Sequence, residues 1–267
     1  MTNGINGGVI DIPLIQLIIA YFFVLVLIII VRKQKIDKEK QIILAATRMT
    51  LQLVIVGFLL EYIFEMPHPG ITLLILIIME GFAIQNIFSR VSTELSFNMK
   101  KVTAISMFAG TVFTLFIFLI LVIGLSPWYY PRYFIPIAGM LIGNSMTGIS
   151  LGVEHLVNQI KKNPGKIEAA LMLGASPQQA TRQVANQAFY NAILPTVNSM
   201  IGMGIIFLPG MMTGQILSGV SPFLAIRYQI AIMMGILGAV TLTTYLLVKL
   251  GVKTYFNDRM QLTINND

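Results

Sequence analysis

The apolar residues of this chain are gathered into long runs, at 12–31, 42–60, 71–88, 102–125, 133–151, 188–208 and 223–248, with short polar connections between them. A bilayer has a hydrocarbon core of about 30 Å, which about 20 apolar residues cross as a helix. That core offers no water to backbone N–H and C=O groups, so each run must close its hydrogen bonds within itself. The fold expected is therefore an all-α polytopic membrane protein with about seven transmembrane helices, forming one domain over 1–267. With 56% hydrophobic and 11% charged residues in 267, the composition excludes the ordinary soluble classes. Residues 1–11 contain no Lys or Arg, and no small-residue cleavage pattern follows the first run, so 12–31 reads as a retained span and not a secretory signal.

The formal net charge of +7 would suggest nucleic acid in a soluble domain, but here the basic residues flank apolar runs, where they set orientation. Arg32, Lys33, Lys35, Lys38 and Lys40 follow the first span; Arg90, Lys100 and Lys101 follow the third. Lys161, Lys162, Lys166 and Arg182 follow the fifth, and Lys249, Lys253 and Arg259 the last. Under a seven-span count these segments share one side, which places the N-terminus outside and the C-terminus in the cytoplasm. Trp128, Tyr129, Tyr130 and Tyr133 cluster at the opposite edge as an interfacial belt. The connections on the outer side are short and leave no room for an external domain. The lipid bilayer is thus one partner, and nucleic acid is not. The chain has no Cys, so any metal chemistry must use oxygen, imidazole or thioether donors.

The longest inner connection, 153–187, carries explicit helix signals. Asn163 and Pro164 form an N-cap and first-turn pair, 168–173 favours helix, and Gly174 is a natural left-handed stop. Ser176 then caps a second short helix, with Pro177 at its first position and Gln179 at capping-box spacing. A short helix bearing Ala169 and Ala170 presents a low-relief surface to another protein. Glu168-Ala169-Ala170 followed by Gly174 resembles the EAA coupling motif of ABC transporter permeases. Together with the run Gly139-Met140-Leu141-Ile142-Gly143-Asn144-Ser145-Met146, and with Leu208-Pro209-Gly210-Met211-Met212-Thr213-Gly214-Gln215 continuing to Pro222 and Tyr228-Gln229, it makes the chain similar to the FetB family of ABC permeases. These are bacterial proteins implicated in iron export, with related plant permeases linked to aluminium tolerance.

The resemblance implies a multi-pass permease of a bacterial plasma membrane, exporting iron or another metal cation. It implies a cytoplasmic coupling helix between spans five and six, with Glu168, Ala169, Ala170, Gly174, Ala175 and Ser176 as the ATPase-coupling residues. The chain lacks a Gly-x-x-x-x-Gly-Lys-Ser/Thr phosphate loop: Gly165-Lys166 has neither the preceding glycine nor the following hydroxyl. ATP and Mg therefore belong to a separate ABC ATPase subunit, no cofactor is expected in this chain, and one coupling loop per chain implies a homodimer with two ATPases. Two other classes compete: an ABC exporter of a small polar organic solute such as a nucleotide sugar, and an ATP-independent channel or carrier. An intramembrane enzyme is disfavoured, since Gly148-Ile149-Ser150-Leu151 lacks the second glycine of a rhomboid-like serine site and no His-Glu-x-x-His occurs.

Polar residues at membrane depth are the candidates for a translocation pathway: Glu80, Gln85, Asn86, Asn144 and Gln215. Glu80 is the first candidate to meet a metal ion, with Met211 and Met212 as weaker soft donors or simply packing. The alternative for Glu80 is an ion pair with Arg48, and that for Asn144, with Ser145, is helix-to-helix hydrogen bonding. Gly139/Gly143 and Gly148/Gly152 have the spacing of close helix contacts. The Gly-rich stretch 209–222 should bend back or line a cavity. Glu61, Glu65 and His68 read as a solvated loop with caps or an outer cation-gathering cluster, and His155 beside Glu154 as an inner-interface pair.

Overall fold

The computed structural model describes residues 5–6, 9–10 and 12–263, so the two chain ends, whose sides the charge pattern assigns, lie outside the described residues. Two short strands, β1 (Ile5–Asn6) and β2 (Val9–Ile10), pair antiparallel ahead of the helices. Then follow α1 (Leu14–Ala20), α2 (Phe22–Lys33), α3 (Glu39–Glu65), α4 (Pro69–Arg90), α5 (Phe97–Ile117) with a π-helical continuation Phe118–Ile123, and α6 (Pro131–Lys162). The series ends with α7 (Pro164–Met172), α8 (Pro177–Ala180), α9 (Arg182–Gly202), α10 (Gly210–Leu217) and α11 (Pro222–Lys253).

Six stretches among the described residues are long and apolar enough to cross a membrane: Leu14–Lys33, Glu39–Glu65, Pro69–Arg90, Phe97–Ile123, Pro131–Lys162 and Pro222–Lys253. The remaining expected span, 188–208, falls on α9, which begins earlier and stops at Gly202. Gln183, Asn186, Gln187, Asn191 and Asn198 give that helix a polar side, so its composition resembles a lined surface more than a lipid-facing rod. The expected loop 153–187 is also shorter than its sequence suggests. α6 continues to Lys162 and α9 starts at Arg182, leaving 163–181 between them.

The structure divides into two compact units, Met1–Pro67 with Gly210–Ala225, and His68–Pro209 with Ile226–Asp267. In the first, α2 packs on α3, and Tyr21 hydrogen-bonds Thr50 across them. Of α3, Ile63 is the buried residue, and its other large apolar side chains are mostly exposed, as a lipid-facing helix requires. The stretch 209–222 bends as its glycines predict: α10 is short, Gly219 takes φ 91° and Ser221 starts α11.

In the second unit α6 is the axis, packed by α4, α5 and α9. Hydrogen bonds fix α4 parallel to it: Thr72 donates to the Tyr129 carbonyl at 3.1 Å, Asn86 to the Met146 sulfur at 3.6 Å, and Ser92 to Glu154 at 2.7 Å. α5 and α11 run antiparallel, with Gly251 beside Met99, Gly110 beside Thr243 and Gly235 beside Phe118. A β-carbon on Gly148 would lie 3.1 Å from the Ala192 carbonyl and 2.8 Å from a Val240 methyl, so α6 approaches the backbone of α9 there and the side chains of α11. Gly152 is similarly confined by Leu247 and Ala192, whereas Gly143 has nothing within 4 Å and Gly139 only the Met79 methyl at 3.4 Å. Only the second of the two expected glycine pairs is therefore a close helix contact.

The two ends of this unit differ in chemistry. Trp128 lies among Phe116, Tyr129 and Phe134, with ring centroids 5.6 to 6.2 Å from it, at the end where α4 and α6 begin. The basic residues following α4, α6 and α11 gather at the opposite end.

Candidate functional site

α7 and α8 hang from the basic end of α6. The 32 residues of α6 extend about 48 Å at 1.5 Å each, longer than a hydrocarbon core of about 30 Å. The hold of α7 on the unit is the buried Ile167, and Pro177, also buried, holds α8.

The geometry of the turn between them is over-determined. Gly174 has φ 87°, its N–H donates to the Leu171 carbonyl at 2.9 Å, and the Ala175 N–H donates to the Ala170 carbonyl at 3.0 Å. This is the paired bonding that closes a helix on a left-handed glycine. Ser176 and Gln179 then form the expected reciprocal cap, with Ser176 N–H donating to Gln179 Oε1 at 2.8 Å and Gln179 N–H to Ser176 Oγ at 3.4 Å. Asn163 departs from expectation: its side chain donates back to Gln159 and leaves the start of α7 without a side-chain cap. Glu168 and Ala169 are exposed, Ala170, Ala175 and Ser176 are half-buried, and Met172 and Leu173 are 86% and 89% exposed. Two large apolar side chains held outward at the end of a short helix form a surface that gains by being covered.

The candidate pathway residues are not gathered in one place. Glu80 is 1% exposed; Thr111 of α5 donates to its Oε1, and its Oε2 has no hydrogen-bond partner among the described residues. Arg48, the alternative partner, lies in the first unit and Glu80 in the second. Asn86 turns instead towards Met146 on α6, Gln85 is exposed, and Asn144 is exposed with its amide donating to the Met140 carbonyl at 2.8 Å. Gln215 belongs to the first unit, where its buried Oε1 has no hydrogen-bond partner among the described residues; Met212 is buried and Met211 half-buried in the same short helix. The carboxylate oxygen and the amide oxygen, each without a hydrogen-bond donor among the described residues, lie in separate units. Among the described residues no group of three or more His, Asp or Glu side chains is placed to hold a metal ion. His68 caps α4, accepting from the Gly70 N–H at 3.1 Å. Glu154 and His155 take separate partners, Ser92 and Asn191.

Polar side chains converge where the sequence reading had placed no site, between α6 and α9. One cavity of about 360 Å³ is lined by His155, Gln159, Asn163, Lys166, Gln183 and Gln187 among others. Another, of about 580 Å³, shares His155 and Gln159 and adds Glu154, Asn158, Asn191 and Asn198.

The model of the uncharacterised protein family UPF0014 matches residues 14–256, from the first helix past the end of the last. The chain belongs to the UPF0014 family. A UPF0014 membrane protein of Synechocystis is 37% identical over 86% of this chain and 89% of its own length. The probable iron export permease protein FetB of Escherichia coli is 34% identical over 93% of this chain and 94% of its own. The protein ALUMINUM SENSITIVE 3 of Arabidopsis thaliana is 35% identical over 91% and 87% respectively. No solved structure matches. This UPF0014 chain is therefore a multi-helix membrane protein whose relatives span nearly its whole length.

Three features of the UPF0014 chain escaped sequence reasoning: the outward Met172 and Leu173, Thr111 as the partner of Glu80, and the amide-rich α6/α9 groove. For the first, the signal is two large apolar residues immediately before a helix-ending glycine; for the last, it is Asn and Gln recurring along α9. Thr111 has no sequence signal, since its meeting with Glu80 depends on how α5 turns.

Proposed function

We propose that the chain is the membrane-embedded permease subunit of an ABC transporter and that a separate ATPase subunit, carrying ATP and Mg, drives it. The observation that carries this reading is α7, a short helix closed by a left-handed glycine and followed by a capping box, with Met172 and Leu173 exposed at its end. A rigid element of this kind transmits a partner's closure as a rigid-body movement, where a flexible loop would absorb it. In this reading the basic end of the second unit is cytoplasmic, α9 completes seven crossings, and two copies pair so that two ATPases act together. The membrane is the plasma membrane of a bacterium.

The substrate reading is export of iron or another metal cation. It draws on the similarity to the iron export permease FetB of Escherichia coli and on the unpartnered oxygens of Glu80 and Gln215. Ferrous iron accepts oxygen and imidazole donors, which this chain has, and needs no thiolate. A second reading, export of a small polar organic solute, is favoured by the amide-lined α6/α9 groove, since Asn and Gln are better suited to hydrogen bonding than to charge neutralisation. Inside-out vesicles containing the chain and its ATPase separate the two. ATP-dependent uptake of ferrous iron, above that of other metals and of nucleotide sugars, is the result expected; uptake of a nucleotide sugar alone establishes the second reading, and no ATP-dependent uptake removes both.

A further inference from the structure

α6 carries a polar stripe on its open side. Asn144, Thr147, Leu151, Glu154, Asn158 and Lys162 recur at spacings of three and four, which is one face of a helix, and each is exposed or half-buried. Ile142, Ser145 and Ile149, between them in sequence, are buried on the packed side. A hydrocarbon core of about 30 Å takes about 20 residues, and α6 has 32. The extreme placements of such a stretch, 131–150 and 143–162, share 143–150, so those positions lie in the core wherever α6 crosses it. Asn144 and Thr147 are therefore open side chains at hydrocarbon depth.

Thr147 satisfies its hydroxyl hydrogen within the helix, donating to the Gly143 carbonyl at 3.2 Å. Asn144 does not have that way out. One N–H of its amide donates to the Met140 carbonyl at 2.8 Å, but a primary amide has a second N–H and an oxygen besides, and hydrocarbon offers neither a partner.

The stripe runs on into space that is already polar. Its members from Leu151 to Lys162 line the cavity of about 580 Å³, together with Asn191 and Asn198 of α9. Pro195 lines it too, and a proline brings no N–H to the carbonyl four residues back, so the Asn191 oxygen lacks its usual helical donor. The adjoining cavity of about 360 Å³ shares His155 and Gln159 and reaches Lys166 and Ile167 of α7. Amides and hydroxyls thus follow one another from hydrocarbon depth to the helix proposed for docking.

We infer that this face of α6 and α9 is the wall of the translocation pathway: it is water-filled, and a hydrated polar solute, a metal cation included, moves along it while amide and hydroxyl groups replace part of its hydration shell. The inference rests on the permease reading and adds to it the surface that the solute meets. At hydrocarbon depth the stripe has no ionisable group, so a passing ion is solvated without being held by a full opposite charge.

The chain has no cysteine, so single-cysteine variants of the full chain in proteoliposomes react with a charged, membrane-impermeant methanethiosulfonate without background. The thiolate is the reactive form, and it forms in water and not in hydrocarbon. Asn144→Cys and Thr147→Cys should be modified at least about tenfold faster than Ile77→Cys on α4 and Phe113→Cys on α5, whose parent residues are 59% and 60% exposed but lie on apolar faces. Ser145→Cys, on the packed side of the same helix, should stay slow. In vesicles that also contain the ATPase, modification of Asn144→Cys or Thr147→Cys should stop ATP-dependent uptake of whichever solute the wild-type chain takes up, each variant being measured before and after the reagent. Rates at 144 and 147 equal to those at 77 and 113 would overturn the water-filled face. Spontaneous disulfide dimers that leave no reactive thiol would overturn it as well, since a second copy would then be seated there. Fast modification with undiminished uptake would remove the face from the pathway. Each of these results leaves the permease reading intact, whereas no ATP-dependent uptake by the wild-type chain with its ATPase would remove that reading and the pathway with it.

Discussion

Gly110 is where the packing of the second unit can be tested most sharply. A β-carbon there would lie 2.5 Å from the Thr243 methyl and 2.9 Å from both the Thr243 Cα and N. Carbon contacts settle at about 3.5–4.0 Å, so Gly110→Ala must push α5 and α11 apart by about 1 Å. The methyl of Thr243 can rotate; its backbone cannot. Overpacking of this kind costs about 1–3 kcal/mol, and a backbone obstruction belongs at the upper end. Alanine returns about 1 kcal/mol of helix propensity, leaving a net loss of about 2 kcal/mol. At about 2–4 °C per kcal/mol for a domain of this size, Tm should fall by about 4–8 °C. Gly81 supplies the control on α4, with nothing within 4 Å of its built β-carbon. Gly81→Ala should keep the propensity gain and raise Tm by about 2–4 °C. Both are measured by thermal unfolding of the purified protein in detergent. A Tm for Gly110→Ala equal to or above that for Gly81→Ala would refute the backbone contact between α5 and α11.

Glu80→Gln removes the charge but keeps the bond from Thr111; on the permease reading it should lower transport roughly tenfold, about 1.4 kcal/mol of barrier, while ATPase association is unchanged, and undiminished flux of iron would remove Glu80 from the pathway. Gly174→Pro should do the reverse. Proline holds φ near about −65° against the observed 87° and deletes the N–H bound to Leu171, so the end of α7 should unravel and the ATPase should no longer co-purify. Burial pushes the Tyr255 hydroxyl from 10.0 up to about 12, so the folded state keeps its proton where the unfolded state loses it. Stability should therefore be undiminished below pH 10 and fall between 10 and about 12, a slope that Tyr255→Phe should flatten in detergent unfolding titrations.

The sequence alone determined that the chain spans a membrane as helices, because a backbone in hydrocarbon has no alternative way to satisfy its hydrogen bonds and the period and length of the apolar runs are local quantities. Gly174, Ser176, Pro177 and Gln179 were legible for the same reason: caps and left-handed stops depend on residues within four positions of each other. The bounds of 188–208 were less so, since α9 balances polar and apolar residues and its place is set by α6, against whose Gly148 and Gly152 Ala192 packs. What only the tertiary structure decided is which side chains meet across long separations: that Glu80 faces Thr111 while Asn86 turns to Met146, and that Gly148 and Gly152 touch their neighbours while Gly143 does not. Those meetings follow from how helices rotate about their own axes as they pack. One residue's worth of rotation is about 100°, enough to move a side chain from the core to open surface, and no local pattern records it.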